Sequence, residues 1–255
     1  AAGCASRGRA STIAMAASHP LQVVILAAGE GLRLGAAGSG RPKALLDLAG
    51  RTLLRRAIDF ATTLRATRIV VVGGRDHADV ATEALAARNP AVRVVENARF
   101  RAGNLLSVRA ALPALNDAVL VANVDHVFPA GAAAAIRAAM GDAVTAYCQF
   151  ARAVDADEMK VELGDARRLR RISKTLAAFD GAYIGMTYVP AAQLPVWRRA
   201  IDAVAAREGD AAVAEQVLQQ LADDGVDVRT AGLDGVRWAE IDTPADLARA
   251  QALCA

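Results

Sequence analysis

The chain uses arginine freely and lysine sparingly. Of 30 basic residues, 27 are arginine, and Lys43, Lys160 and Lys174 are the exceptions. Where a plain positive charge suffices, this composition supplies a guanidinium, so a retained lysine marks a place where a compact ammonium serves better than a planar fork. Each lysine sits beside its own motif, "RPK", "EMKVEL" and "ISK". Two acids complete the set: Asp125 follows the apolar run "AVLVANV" and Asp242 follows "WAEI". A carboxylate at the end of a buried strand needs a partner, and a hard divalent cation held through oxygen is one. A turn residue at 125 and a capping acid at 242 are the structural alternatives.

A glycine-studded loop, "LAAGEGLRLGAAGSGRPKALLDLAG" from Leu26 to Gly50, precedes these residues. It fails as a dinucleotide fingerprint, because Gly29-x-Gly31 is followed three residues on by Leu34. It fails as a P-loop, because Arg41 and Pro42 follow Gly40, and proline offers neither a hydroxyl nor an N–H. What remains is a long loop bearing backbone amides with Arg33, Arg41 and Lys43, suited to a phosphate chain. For "GAAGSG" by itself, a solvated loop explains the residues as well.

The elements that must position these groups follow from periodicity. "LQVVILAA" (21–28), "RIVVVGG" (68–74), "AVRVVEN" (91–97) and "AVLVANVD" (118–125) are strand-like apolar runs. Helical patterns over 52–66, 77–88, 104–112 and 129–140 separate them. That rhythm predicts a Rossmann-like, mostly parallel mixed sheet flanked by helices, with ligands at the carboxyl ends of the strands. The loops after residues 28, 73, 97 and 124 should then share one edge and bring Gly29, Gly31, Gly73, Gly74, Asn97, Gly103, Asn104, Asp125 and His126 together. Asn104 reads as a helix N-cap. After about residue 141 short strands dominate (143–150, 159–163, 169–173 and 182–189), predicting a small β-rich part. Helices follow over 191–207 and 211–223, then a strand near 226–230, a strand to Ile241 and a last helix capped by Thr243, with Pro244 at its first position. Ser107 is expected to touch nothing, and Trp238 and Tyr188 to pack in the core.

Composition sets outer limits. With 255 residues, 54% hydrophobic and only 4% aromatic, the chain can bury a large core of Ala, Val, Leu and Ile. A net charge of +3 gives no nucleic-acid footprint. The basic run Arg167–Arg171, interrupted by Leu169, reads as the solvated side of a strand. Cys4, Cys148 and Cys254 lack metal-ligand spacing, so a reducing cytoplasm is the expected setting. The uncharged run Ala10–Gly29 is too polar for a membrane span. Residues 1–20, with no acid and a Met at 15, read as a disordered extension, and a transit peptide is the alternative. Residues 21–255 read as a single domain, and a homodimer is compatible with them.

The opening loop resembles that of the sugar-phosphate nucleotidyltransferases, whose pattern is L-A-A-G-x-G-x-R-L followed by P-K-x-L. The likeness continues through "NARFRAGNLLSVRAAL", "VANVDHVF", "DEMKVEL", "LRRISKTLAAFDGAYIGMTYV" and "WAEIDTPADLARA". Asp125-His126 and "SKTLAAFD" resemble the inositol-1-phosphate cytidylyltransferases most. "GAYIG" also resembles the phosphocholine enzymes, which usually carry Glu where this chain has Ala182.

The resemblance implies Mg2+-dependent transfer of a nucleotidyl group from CTP to a phosphorylated alcohol. Asp125 and Asp242 would hold the metal, and Arg33 and Lys43 the triphosphate. The nucleotide would rest on Ala27, Ala28, Gly29 and Gly31, near Gly73, Gly74, Asn104 and Asp125. Lys174 would hold the attacking phosphate, and Lys160, Tyr183, Gly185 and His126 would line the acceptor side. A different nucleotide, a phosphocholine acceptor and a non-catalytic nucleotide sensor are the competing readings. A nucleotide-sugar glycosyltransferase lacks its Asp-x-Asp motif here, since Asn123 and Val127 flank Asp125 at two residues.

Overall fold

The computed structural model describes residues 20–29, 31 and 40–254. The N-terminal extension, Arg33 and most of the glycine loop lie outside the described residues. A continuously apolar strand must be covered on both faces, and β1 (Leu21–Ala27) is buried along its whole length. Val23, Ile25 and Ala27 join one hydrophobic cluster, while Val24 and Leu26 join the other, on the opposite face.

The chain continues through a small hairpin, β2 (Asp47–Leu48) and β3 (Arg51–Thr52), into α1 (Leu53–Thr63). Then come β4 (Arg68–Gly73), α2 (His77–Ala86), β5 (Val92–Glu96), α3 (Leu105–Ala111), β6 (Ala118–Asn123), β7 (His126–Val127) and α4 (Ala132–Ala138). The second half holds β8 (Val144–Gln149), β9 (Lys160–Leu163), β10 (Leu169–Ser173), β11 (Gly181–Val189), α5 (Leu194–Glu208) and α6 (Glu215–Asp223). β12 (Val228–Gly232), β13 (Ala239–Glu240) and α7 (Pro244–Cys254) complete it.

Nine strands form one mixed sheet, ordered β10-β9-β11-β6-β1-β4-β5, with β8 against β11 and β12 against β8. β6, β1, β4 and β5 are mutually parallel. Their carboxyl ends therefore share one edge, as the sequence predicts. β11 runs antiparallel to β6, β8 and β9 and turns the sheet into the β-rich half. α1, α2, α4 and α7 cover one face of the sheet, and α3, α5 and α6 the other.

Gly185 makes the bend in β11 feasible. Its φ is +69°, and a Cβ there would lie 2.7 Å from Asn123 Nδ2 and 2.9 Å from His126 Nε2. The register against β8 shifts at this point, between Tyr183 and Thr187. No L side chain fits both the angle and the space.

Several details differ from expectation. β6 stops at Asn123, so Asp125 sits in the turn beyond it. The ribbon formed by β7 and β13 was not foreseen, nor was the β2–β3 hairpin; strands of two residues carry no periodicity. Asn104 is not a capping side chain: it has helical angles, and its Oδ1 accepts instead from Ala214 N at 2.8 Å. Ser107 does make contact, accepting from the buried Asn97 amide at 2.9 Å. Among the described residues no helix is long and apolar enough to cross a membrane. The basic run is exposed around a buried Leu169, as expected for a solvated strand face.

Candidate active site

Lys43 begins a single 3-10 turn after Pro42 and is 8% exposed. Its ammonium donates to Asp125 Oδ2 at 2.6 Å and to Asp242 Oδ1 at 2.5 Å. Three residues from distant parts of the sequence thus meet at one point. β6 carries Asp125 to the sheet edge. The β7–β13 ribbon pairs His126 with Glu240, and Ile241 N donates to Asp125 O at 3.1 Å, which draws the next residue, Asp242, alongside.

The start of α7 fixes Asp242 from the other side. Asp246 Oδ2 accepts from the backbone N–H of Asp242 (3.1 Å) and Thr243 (2.7 Å) and from the Thr243 hydroxyl (2.8 Å). Thr243 Oγ1 accepts in return from Asp246 N at 3.3 Å. This is the reciprocal cap expected at the Thr-Pro helix start.

The electrostatics follow from that geometry. Burial works against the charge on Lys43, but the two carboxylates more than offset it and raise its pKa above the ordinary lysine value. Burial likewise opposes charge on Asp125, yet His126 and Lys43 hold its carboxyl far below the usual range. His126 Nδ1 lies 2.6 Å from Asp125 Oδ1, and its pKa is raised because Asp125, with help from Glu240, outweighs burial. Glu240 is pushed up by burial. Among the described residues, Asp125, His126 and Glu240 bring one ligand atom each within 4.8 Å of one another. Two converging carboxylates already hold one cation, the Lys43 ammonium. Such an all-oxygen pair suits a hard divalent ion.

The acceptor-side residues divide. A cavity of about 770 Å³ opens beside the acids, lined by His126, Lys174, Tyr183, Gly185, Glu215 and Trp238, among others. The sequence placed the first four there and missed the last two. Trp238 is not merely a core residue: it stacks on His126 at 5.1 Å between ring centroids and 6° between planes. Lys160 lies elsewhere. It is 7% exposed, and its ammonium donates to Ala156 O (2.9 Å), Glu158 O (3.5 Å) and Lys174 O (2.8 Å). Its donors are directed at carbonyls of the loops flanking the cavity, one of them belonging to Lys174. Tyr183 also has its hydroxyl engaged, by Thr187 Oγ1 at 2.8 Å.

On the nucleotide side, Ala27 and Ala28 are buried at the end of β1, and a Cβ on Gly29 would meet nothing within 4 Å. Gly31 has φ +67°. Gly74 allows a close approach: a Cβ there would lie 2.4 Å from Phe100 Cβ and 2.8 Å from Ala28 Cβ. Gly73 packs in the same way on the His77 ring. Asn104 engages its Oδ1 with Ala214 N. Glu240 and Glu215 carried a weak signal at most. Glu240 alternates with buried Ile241, whereas Glu215 stands at a helix start like any first-turn acid.

The sequence matches the family model described as "MobA-like NTP transferase domain" over residues 23–226. The "Bifunctional IPC transferase and DIPP synthase" of Rubrobacter xylanophilus is 34% identical over 236 residues, covering 88% of this chain and 49% of that protein. A "Bifunctional protein GlmU" of Azorhizobium caulinodans is 42% identical over 106 residues, covering 41% of this chain and 23% of that protein. The chain thus spans about half the length, or less, of these curated relatives. Among solved structures, the inositol-1-phosphate CTP transferase of T. maritima superposes with a TM-score of 0.78 at 20% identity, over 91% of this chain and 94% of that one. The CTP:phosphocholine cytidylyltransferase of Streptococcus pneumoniae gives 0.68 at 20% identity, over 92% and 100%. The fold is therefore that of the nucleotide-diphospho-sugar transferases, a form of the Rossmann-like mixed sheet that the sequence pattern predicts.

Proposed function

We propose that this chain, which belongs to the family of MobA-like NTP transferase domains, transfers a cytidylyl group from CTP to a phosphorylated alcohol, with inositol 1-phosphate as the acceptor. An oxygen of the acceptor phosphate forms the new bond to the α-phosphorus, the bond to the bridging oxygen breaks, and pyrophosphate leaves. A phosphate monoester is already anionic near neutral pH, so the residues need not abstract a proton. Their task is to bring two polyanions together, which is catalysis by positioning and charge neutralisation.

The observation that carries this reading is the Lys43 ammonium held between Asp125 and Asp242 beside a cavity that Lys174 lines. Asp125 and Asp242 would hold Mg2+, with Glu240 and His126 adjoining. When bound, the ion supplies charge neutralisation on the phosphate oxygens. Lys43, with Arg33 of the glycine loop, would hold the triphosphate. Ala27, Ala28, Gly29, Gly31, Gly73, Gly74 and Asn104 would receive the nucleoside. Lys174 would fix the attacking phosphate. Lys160 would act one step back, holding the Lys174 backbone in place.

The description of the Rubrobacter relative as an IPC transferase supports the inositol acceptor. The test is a matrix of the four ribonucleoside triphosphates against a panel of phosphorylated alcohols, read as pyrophosphate release. The expected maximum is CTP with inositol 1-phosphate. Release confined to another triphosphate or to phosphocholine would displace that pairing, and no release with any pair would remove the enzymatic reading.

A further inference from the structure

Glu215 is a half-buried acid on the wall of a cavity proposed above to receive a phosphate. A carboxylate in such a place repels the ligand unless it serves another part of it. Three other acids on the same wall are already held. Glu158 is clasped by Arg152, Asp242 by Lys43, and Asp246 by the α7 cap and Arg249. Glu215 differs from these three: it accepts from its own backbone N–H, and, as for Asp155 and Glu240 on the same wall, no side chain among the described residues donates to it.

Its position is nevertheless well fixed. The preceding residue, Ala214, donates its N–H to Asn104 Oδ1 at 2.8 Å, and Val213 N donates to Gln216 Oε1 at 2.8 Å. Gly103 packs so tightly on Ala212 that a Cβ there would lie 1.9 Å from its carbonyl oxygen. The segment expected to meet the nucleotide thus anchors the start of α6. Burial pushes the Glu215 carboxyl up, and its own backbone N–H and the fields of Lys174 and His126 favour its charged form. The neighbouring acceptor group, the Tyr183 hydroxyl, is already bonded to Thr187.

We propose that the Glu215 carboxylate accepts hydrogen bonds from hydroxyl groups of the acceptor, and so selects a polyol phosphate over a phosphate on a plain hydrocarbon or a cationic head. This rests on the cytidylyltransferase reading. Carboxylate and ammonium then work as a pair: Lys174 draws the phosphate and Glu215 repels it, which leaves one orientation in which hydroxyls face Glu215. A first-turn acid that merely complements the α6 dipole would show no such preference.

The experiment measures pyrophosphate release with CTP and Mg2+ for the wild-type chain, Glu215→Ala and Glu215→Gln. The acceptors are inositol 1-phosphate and cyclohexyl phosphate, which keeps the ring and loses the hydroxyls. In Glu215→Ala the KM for inositol 1-phosphate should rise about tenfold to a hundredfold, the loss of hydrogen bonds to a charged group. The KM for CTP should hold, the preference over cyclohexyl phosphate should collapse, and Glu215→Gln should recover part of it. An unchanged preference in Glu215→Ala overturns the proposal, as does a parallel rise in both KM values, which would signal a disturbed α6. A wild-type preference for phosphocholine also overturns it. A wild-type chain that releases no pyrophosphate with any acceptor removes the functional reading first and this one with it.

Discussion

Lys43 and Lys160 are buried to nearly the same degree, 8% and 7% exposed, yet their surroundings have nothing in common. Lys43 faces two carboxylates and Lys160 faces three carbonyls. Three carbonyl dipoles satisfy an ammonium without a counter-charge that another cation would seek. Two carboxylates on a sheet edge beside an open cavity are different, since another cation can take the ammonium's place. On the proposed function one lysine is an exchangeable partner at the reaction centre, and the other is a tie between the loops around it. Scarcity of lysine marked both, because a compact ammonium suits both tasks, and it did not distinguish them.

The largest expected effect tests the exchangeable side. Asp125→Asn should keep the fold, read by circular dichroism, and lower turnover by about a hundredfold to a thousandfold, the loss seen when one electrostatic group leaves a preorganised site. Near-normal turnover at saturating Mg2+ would erase the distinction. Lys43→Met should lower turnover by about a hundredfold. It should also destabilise the chain by about 3 kcal/mol in metal-free buffer, because two partly buried acids lose their counter-charge. Added Mg2+ should then raise the melting temperature of the variant more than that of the wild type. An equal rise would mean that the acids do not accept a divalent ion where the ammonium stood.

Lys160→Met removes the tie. A cost of about 2 kcal/mol is expected in chemical denaturation, because the buried ammonium no longer ties three loop carbonyls together. At saturating acceptor the turnover number should stay near that of the wild type; a collapse would make Lys160 part of the reaction centre after all. Lys174→Ala should raise the acceptor KM about tenfold with little change for CTP, the loss of one charged contact at the attacking phosphate. Equal effects on both substrates would remove its assignment.

The smallest effect concerns the α7 cap. Burial opposes charge on Asp246, but the Thr243 hydroxyl and two backbone N–H groups together outweigh it and lower its pKa below the ordinary 3.8. A depressed carboxylate stabilises the fold above its unfolded value and loses that contribution as pH falls through the folded value. Asp246→Asn should therefore cost about 1 kcal/mol at pH 7, and the gap from wild type should close as pH falls below 3.8 and through the lowered folded value. A gap that is constant with pH would show that charge at 246 is irrelevant to the cap.

The sequence made the parallel half of the sheet legible for a physical reason. β1, β4 and β6 are buried on both faces, so they are continuously apolar and stand out. Asp125 and Asp242 were legible because acids rarely end such runs without a partner. The β7–β13 ribbon was not, since two residues a side make no pattern, and it is what aligns the two acids. Trp238 misled through averages: a scarce aromatic is usually core, and here it forms the wall of a cavity. Glu215 was hidden because its role depends on which neighbours fail to reach it, a fact of three dimensions only.

The ribbon has a consequence for how the chain comes into being. Lys43 and Asp242 are 199 positions apart, so their meeting requires a late, long-range closure. A nascent chain that has extended only past residue 125 already possesses the parallel strands and the glycine loop, but just one of the two acids. On the proposed reading, a chain at that stage lacks one of the two carboxylates that would hold the divalent ion, so transfer would wait for the closing ribbon.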